Sequence, residues 1–170
     1  LMIRRLVVTV QQHPKQPVVH LHLPIPNVDI DVPNATEWPL IHIVNTRFMQ
    51  EQGPLEMLGL ARFPLFVTFC FPTLISQSSQ DFFWIIKTDP QFTKTNVFQQ
   101  MIQLVEDYPN IYLVASNENY LIQPQQKGSW RDGAEGRDLL SSTIYTGNIT
   151  ELHQAIALRE ERPILETRLD

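Results

Sequence analysis

From Trp38 onward, short apolar segments alternate with amphipathic ones along the chain. The apolar segments are rich in β-branched and aromatic residues, and proline or polar residues bound them, as is typical of buried strands. The predicted strands are PLIHIV (39–44), FFWIIKT (82–88), IYLVAS (111–116) and ILETRL (164–169). Because helices are predicted between them, we expect an α/β fold with a mostly parallel sheet and flanking helices.

Apolar residues spaced three or four apart predict the helices. The first helix is expected over 55–69, and its inward face would consist of Leu55, Leu58, Ala61, Leu65 and Phe69. Pro64 should kink it, and Pro72 should lie in the first turn of a second helix. The clearest stripe lies within 95–108 and comprises Val97, Met101, Leu104, Val105 and Tyr108. A last helix should start after Asn148, which has capping-box spacing to Glu151, with Ile149, Leu152 and Ile156 inward.

Two segments differ from this pattern. Residues 1–37 are rich in proline, which removes strand donors, so we expect an extended lead-in with at most one edge strand in VVHLHL. Residues 117–147 are polar and glycine-rich, which predicts a long loop of functional interest. The remainder, 38–170, is expected to be one domain.

Composition excludes some classes of protein. An apolar fraction of 43% and a charged fraction of 18% are typical of a globular chain. A formal net charge of −5 argues against nucleic acid as a partner. No run reaches the length expected of a membrane-spanning helix. The compartment stays open between cytoplasm and, with an upstream anchor, the Golgi or secretory lumen. Cys70 is flanked by apolar residues and is expected to be a buried structural thiol.

Polar residues follow each predicted strand, and ligands bind beyond the carboxyl ends of strands in open α/β sheets. The residues concerned are Asn45-Thr46-Arg47, Thr88-Asp89-Pro90, Ser116-Asn117-Glu118, Arg168 and Asp170. Together they suit an anionic ligand that carries hydroxyls, because carboxylates accept from hydroxyls and arginine pairs with phosphate. The alternative is that strand ends are polar only because loops are. His20 and His22 offer two metal ligands without a third, and His42 is expected to be a hydrogen-bonded core residue.

Four segments resemble, in order, the putative rhamnosyltransferase family, whose members are glycosyltransferases of the GT-A type similar to family 2. The first is T-R-F, matched by Thr46, Arg47 and Phe48. The second is F-C-x-P-[ST]-[IL], matched by Phe69, Cys70, Pro72, Thr73 and Leu74. The third is a strand ending in Asp, matched by Gln77, Phe82, Trp84, Ile85, Ile86 and Asp89. The fourth is the start of R-L-D-x-D-D, matched by Arg168, Leu169 and Asp170.

The resemblance implies a nucleotide-sugar donor, a glycan acceptor and Mg²⁺ or Mn²⁺. The donor-binding residues would be Thr46, Arg47, Asp89, Arg168 and Asp170. Asp170 would open the metal-binding D-x-D motif. The rest of that motif and the catalytic base are expected beyond residue 170, so residues 38–170 would be a truncated nucleotide-sugar-binding part, inactive alone. For Arg168, an ion pair with Glu166 or Asp89 is the structural alternative.

Two other classes stay open at this point. One is a non-catalytic α/β module that binds a nucleotide or a sugar. The other is an unrelated α/β enzyme. Membrane association is expected only through segments outside this sequence.

Overall fold

A computed structural model describes residues 4–9, 20–25, 37–117, 142–157 and 162–169, with side chains for 37–117, 142–155 and 162–169. The strands are β1 (Arg4–Thr9), β2 (His20–Ile25), β3 (Ile41–Arg47), β4 (Phe83–Thr88), β5 (Ile111–Ala115), β6 (Thr143–Ile144) and β7 (Ile164–Leu169). The helices are α1 (Glu56–Leu65), a π-helical turn (Phe66–Cys70), α2 (Phe71–Ile75), a 3₁₀ turn (Phe92–Lys94), α3 (Asn96–Val105) and α4 (Ile149–Ala157).

Five strands form the main sheet in the order β6-β5-β4-β3-β7. The pairs β3–β4, β3–β7 and β4–β5 are parallel, whereas the two-residue β6 runs antiparallel to β5. The predicted α/β class with a mostly parallel sheet is therefore confirmed. All four predicted strands are present, and the first extends through Asn45, Thr46 and Arg47, which the sequence had assigned to a loop.

The strands β1 and β2 form a separate antiparallel sheet of two strands. The register pairs Arg4 with Ile25 and Thr9 with His20. Both lie in the proline-rich segment, where one edge strand at most was expected. Pro24 lies within β2. In a sheet of two strands both are edge strands, where the missing N–H of proline is tolerated.

Helices pack on both faces of the main sheet. On one face, α1, α2 and α3 bury a large aromatic cluster around Phe63, Phe71, Trp84 and Phe98. On the other face, Leu152 and Ala155 of α4 cover a smaller cluster built by the alternate residues of β3, β4 and β5. The strands β4 and β5 are buried along their whole length because both faces are covered.

The predicted inward face of the first helix is wrong except at Leu58, which packs partly buried against the aromatic cluster. Leu55, Leu65 and Phe69 are 54%, 58% and 66% exposed, whereas Phe63 and Phe71 are almost fully buried. Apolar residues lie on every side of α1, so periodicity alone does not select the buried side. The large aromatic rings face inward because they bury the most surface. The π-helical turn contains more residues than an α-helical turn. Every later residue therefore lies on a different side of the helix from the one that an α-helical period predicts.

Both prolines of this helix lie inside helical structure. Pro64 is within α1, and Pro72 lies in the first turn of α2, as predicted. Pro72 has no N–H for the carbonyl of Thr68, and the wide π turn immediately before it accommodates that loss. From Glu56 to Ile75 the chain is thus helical for 20 residues.

An 18-residue window of this 20-residue helix has a mean hydropathy of 1.7, so the helix is long and apolar enough to span a membrane. The expectation that no segment does so is therefore corrected. Within the fold, 39% of the helix is buried, because Phe63, Phe66 and Phe71 pack against the sheet. A core helix of a soluble protein meets the same criteria.

Side chains cap the two later helices. The hydroxyl of Thr95 accepts from the N–H of Phe98 at 3.3 Å, and Asn148 Oδ1 accepts from the N–H of Glu151 at 3.3 Å. The predicted cap at Asn148 is confirmed. The predicted stripe of α3 is buried throughout. On α4, Leu152 is buried but Ile149 is 43% exposed, and the side chain of Ile156 lies outside the described residues.

Candidate functional site

The strand order changes direction at β3. From β3 the chain proceeds through β4 to β5 on one side, whereas β7 returns to the other side of β3. In open α/β sheets this switch point opens a crevice beyond the carboxyl ends of the two strands that diverge. The carboxyl ends of β3 and β7 are therefore where a ligand is expected, with β4 next to them.

A polar contact joins the two diverging strands. Asn45 Nδ2 donates to Glu166 Oε1 over 2.6 Å, and Arg168 Nε lies 3.4 Å from the same oxygen. The structural alternative for Arg168, an ion pair with Glu166, is thus present. Because the arginine side chain is 47% exposed, the pair contributes little to stability and leaves the guanidinium near solvent.

Three basic residues lie on one face of the sheet at this edge. Side chains alternate along a strand, and Ile41 and Ile43 lie in the cluster under α4, so Asn45 and Arg47 face the same way. The register pairs Arg47 with Lys87 and Asn45 with Arg168. Arg47, Lys87 and Arg168, which we call the basic edge, therefore share one face on three adjacent strands.

Lys87 is the member of the basic edge that sequence analysis missed. It closes an apolar strand and is only 3% exposed. A lysine seldom becomes this buried, since removing its charge from water is costly without compensating partners. The signal was present in FFWIIKT, where one cation ends a run of aromatic and aliphatic residues.

Thr46 has a structural contact. The side chain is 6% exposed, and its hydroxyl accepts from Trp84 Nε1 over 2.9 Å. This bond satisfies the indole N–H within the aromatic cluster. The predicted role of Thr46 in nucleotide binding stays a prediction, and its hydroxyl is directed to the core.

Asp89 follows β4 directly and is held by its neighbours. Its Oδ1 accepts from the N–H of Gln91 over 2.7 Å, which starts the 3₁₀ turn. Gly53, in the loop after β3, lies so close that a Cβ there would collide with the carboxylate. The same loop holds Met49 and Glu51 at φ of 61° and 60°, a left-handed conformation unusual for residues other than glycine.

The loop of 48–55 is therefore packed in a strained form against Asp89. The N–H of Phe48 donates to the carbonyl of Lys87 over 2.8 Å, which fixes the start of the loop beside β4. Arg62 of α1 donates to Gln52 Oε1 over 2.5 Å and holds the middle of the loop. Strained backbone of this kind is concentrated at binding and catalytic sites.

Of the other predicted strand-end residues, Ser116 is buried, and its N–H donates to the carbonyl of Thr88. Asn117 is exposed. Glu118, Asp170 and most of the predicted loop of 117–147 lie outside the described residues. Of the five predicted donor-binding residues, the structure brings Thr46, Arg47, Asp89 and Arg168 to one edge of the sheet.

No group of three or more His, Cys, Asp or Glu side chains within the described parts of the chain could hold a metal ion. At the basic edge, the Glu166 carboxylate is bonded to Asn45 and paired with Arg168. The predicted metal ligand, Asp170, and the side chains of His20 and His22 are outside the described side chains. The described residues alone therefore do not form the predicted metal site.

Burial shifts the pKa of His42 and that of Cys70, both of which lie away from the basic edge. Burial lowers the pKa of His42, whose Nε2 lies 2.9 Å from the hydroxyl of Thr167, so the predicted hydrogen-bonded histidine is confirmed. Burial raises the pKa of the Cys70 thiol, which packs half-buried against the aromatic cluster. A raised pKa disfavours the thiolate, which agrees with the structural role predicted for this cysteine.

The fold and this edge define an α/β protein with a cluster of basic residues at a switch point of its sheet. Residues 58–132 match the family described as putative rhamnosyl transferase. The resemblance drawn from the sequence is thereby confirmed over α1 to β5, and the family description indicates a glycosyltransferase. The T-R-F and R-L-D segments lie outside the match. No curated protein and no solved structure matches the chain.

Proposed function

We propose that this chain is the donor-binding part of a GT-A glycosyltransferase, which binds a nucleotide sugar for transfer to a glycan hydroxyl. The observation that carries the proposal is the basic edge, where Arg47, Lys87 and Arg168 share one face beside the switch point. The family match to residues 58–132 supports the transferase class. The donor sugar, rhamnose by the family's description, belongs to the proposal as well.

The basic edge suits a diphosphate. Arginine presents planar donors that match phosphate oxygens, and a lysine ammonium adds a compact charge. Lys87 is buried, so its field is screened less by water than that of a surface lysine. In the proposed complex Arg47 and Arg168 contact the diphosphate, and the field of buried Lys87 helps to balance the negative charge that develops as the glycosidic bond breaks.

Asp89 is proposed to accept from a hydroxyl of the ribose or from the base. Its Oδ1 already accepts from Gln91, and a carboxylate has acceptor sites left for a ligand. The packed loop of 48–55 keeps the carboxylate in place, because Gly53 leaves no room for movement on that side. Orientation before binding lowers the entropy cost of capturing the donor.

A divalent cation, Mg²⁺ or Mn²⁺, is proposed to bind through Asp170 and acids beyond it. Hard oxygen ligands suit these ions, and a bound ion would stabilise charge on the leaving diphosphate.

The test is titration of the 170-residue chain with a nucleoside diphosphate, followed by calorimetry at low salt. Removing one phosphate contact by Arg47→Ala should weaken binding about tenfold, because one charge-assisted hydrogen bond contributes about 1.5 kcal/mol. The loss should be smaller at high salt, since salt already screens the contact.

The matched control is Arg162→Ala. Arg162 directly precedes β7, so it lies at the amino ends of the strands and away from the basic edge. Its side chain donates to the carbonyl of Trp38 over 2.8 Å. This variant removes the same charge and should leave the affinity unchanged. Equal affinity for the nucleoside without phosphates, or equal weakening by both variants, would contradict the proposal.

A further inference from the structure

Gly53, in the loop of 48–55, is buried and packs directly against Asp89. A Cβ at this position would lie 2.6 Å from Cγ of Asp89 and 2.9 Å from its Cβ, and closer still to Oδ1. Contacts this short do not occur between real side chains, so one of the two groups would have to move. Only glycine therefore lets the loop backbone approach the carboxylate in the position that the structure shows.

Asp89 is also held on the side of the 3₁₀ turn. Its Oδ1 accepts from the N–H of Gln91 over 2.7 Å, and its carbonyl accepts from the N–H of Phe92 over 3.0 Å. The carboxylate thus lies between the turn and the backbone of Gly53. If a side chain at position 53 displaced the carboxylate, the bond to Gln91 would be lost with it.

The loop that carries Gly53 needs contacts to keep its shape. Met49 and Glu51 are both left-handed, a conformation that costs energy in residues other than glycine. Arg62 of α1 supplies two such contacts, because its Nη1 lies 2.5 Å from Oε1 of Gln52 and 3.9 Å from Sδ of Met49. A residue on a helix therefore holds the loop that presses on Asp89.

We infer that Gly53 and Arg62 are positioning residues for Asp89. Arg62 holds the loop, and Gly53 brings the loop backbone against the carboxylate, so that Asp89 is oriented before a ligand binds. An oriented carboxylate captures a hydroxyl or an N–H at a lower entropy cost. The inference rests on the proposed function for what Asp89 binds, but the position of the carboxylate can be tested without a ligand.

The first experiment uses the ligand-free chain and follows the amide proton of Gln91 by NMR. In the wild-type chain this N–H donates to Oδ1 of Asp89, so its resonance should move when acid protonates the carboxylate. Asp89→Ala should abolish the movement. Gly53→Ala should remove most of it, because the added methyl group displaces Oδ1.

The second experiment compares the affinities for a nucleoside diphosphate and for inorganic pyrophosphate, which lacks the ribose and the base. Asp89→Ala should weaken the nucleoside diphosphate about tenfold, since one hydrogen bond to a charged group is lost. Gly53→Ala should weaken it by a similar factor, and neither variant should change the affinity for pyrophosphate. In the Asp89→Ala background, Gly53→Ala should cause no further loss, because the two act as one unit.

Arg62→Met tests the other positioning residue, since it removes the donor and keeps a long apolar side chain. The loop is released rather than pushed, so the affinity for the nucleoside diphosphate should fall only about threefold, as expected for one exposed hydrogen bond. Gln52→Leu removes the acceptor of the same bond, and the double variant should lose no more than either single one. Equal weakening of pyrophosphate by Arg62→Met would exclude a role through Asp89.

Gly147→Ala is the matched control. A Cβ there would lie 2.5 Å from the ring of Tyr112, which is at the amino end of β5 and away from Asp89. The variant should lower the free energy of unfolding in urea and leave the Gln91 resonance and both affinities unchanged. A selective fall of the nucleoside diphosphate affinity in this control would overturn the inference, because general destabilisation would then explain the other losses.

Two further results would overturn the inference and leave the proposed function intact. One is a Gly53→Ala variant with the wild-type resonance of Gln91 and the wild-type affinities. The other is a further loss on Gly53→Ala in the Asp89→Ala background, which would mean that Gly53 acts by another route. If no variant and no wild-type chain binds the nucleoside diphosphate, the proposed function fails, and the Gln91 resonance still decides whether Gly53 positions Asp89.

Discussion

At the scale of single residues, the position and partner of a buried polar side chain indicate whether its role is structural or lies in the candidate site. Thr46 fits a family motif for nucleotide binding, yet its hydroxyl accepts from Trp84 within the core. Lys87 matches none of the quoted motifs, yet it lies in register with Arg47 on the basic edge. A sequence identifies residue types at strand ends, whereas alternation and register determine which of them share a face.

Replacing Thr46 with valine should destabilise the chain by about 1–3 kcal/mol, because the buried N–H of Trp84 loses its acceptor. Thr46→Ser keeps the hydroxyl and should retain most of the stability. Urea unfolding followed by tryptophan fluorescence measures the difference. A stable Thr46→Val variant with reduced nucleotide affinity would instead assign the residue to the ligand.

At the scale of elements, strands were predicted better than helix faces. Each strand of the main sheet except the short β6 was predicted, and β4 and β5 are buried apolar segments with clear boundaries. The stripe of α3 was also predicted, because polar residues mark its solvent side. On α1 the apolar residues surround the helix, and the buried side depends on which rings fit against β3 and β4.

Substitutions on the two sides of this helix should differ sharply. Phe63→Ala should cost about 3–5 kcal/mol, because it opens a cavity in the aromatic cluster. Phe69→Ala removes the same ring from a position 66% exposed and should change stability by no more than about 0.5 kcal/mol. Equal costs in denaturant unfolding would mean that Phe69 is covered in solution.

At the scale of the whole molecule, the α/β class and the edge that carries the candidate site followed from the order of elements. The position of β7 beside β3 did not, because strand order depends on crossovers that periodicity does not encode. The contact between Asn45 and Glu166 exists only through that placement. The sequence therefore predicts Arg47 and Arg168 as residues at strand ends, but it does not predict that they share a face with Lys87.

The contact of β3 with β7 also makes the free energy of unfolding depend on pH. Burial lowers the pKa of His42, which lies against Thr167 of β7. The unfolded chain then binds more protons than the folded chain once the pH falls below about 6.5. The stability contributed by neutral His42 is complete above that pH and is lost as the pH falls.

The free energy of unfolding should thus decline below about pH 6.5 with a slope of at most about 1.4 kcal/mol per pH unit from this residue. In His42→Gln the amide can still bond to Thr167 but does not titrate, so the slope should become shallower. Urea unfolding at a series of pH values measures it. An unchanged slope in the variant would assign the pH dependence to other groups.

The π-helical turn at Phe66–Cys70 has a consequence for chain length. Its wide hydrogen bond, from the N–H of Phe71 to the carbonyl of Phe66, encloses one residue more than an α-helical turn. A relative with one codon fewer at this point, and with a residue other than proline at the position of Pro72, would keep the buried faces of α1 and α2 aligned in a regular helix. The same loss within α3 would rotate every later residue of that helix by about 100°. The fold thus contains a place where evolution can change the length of the chain by one residue without moving the core.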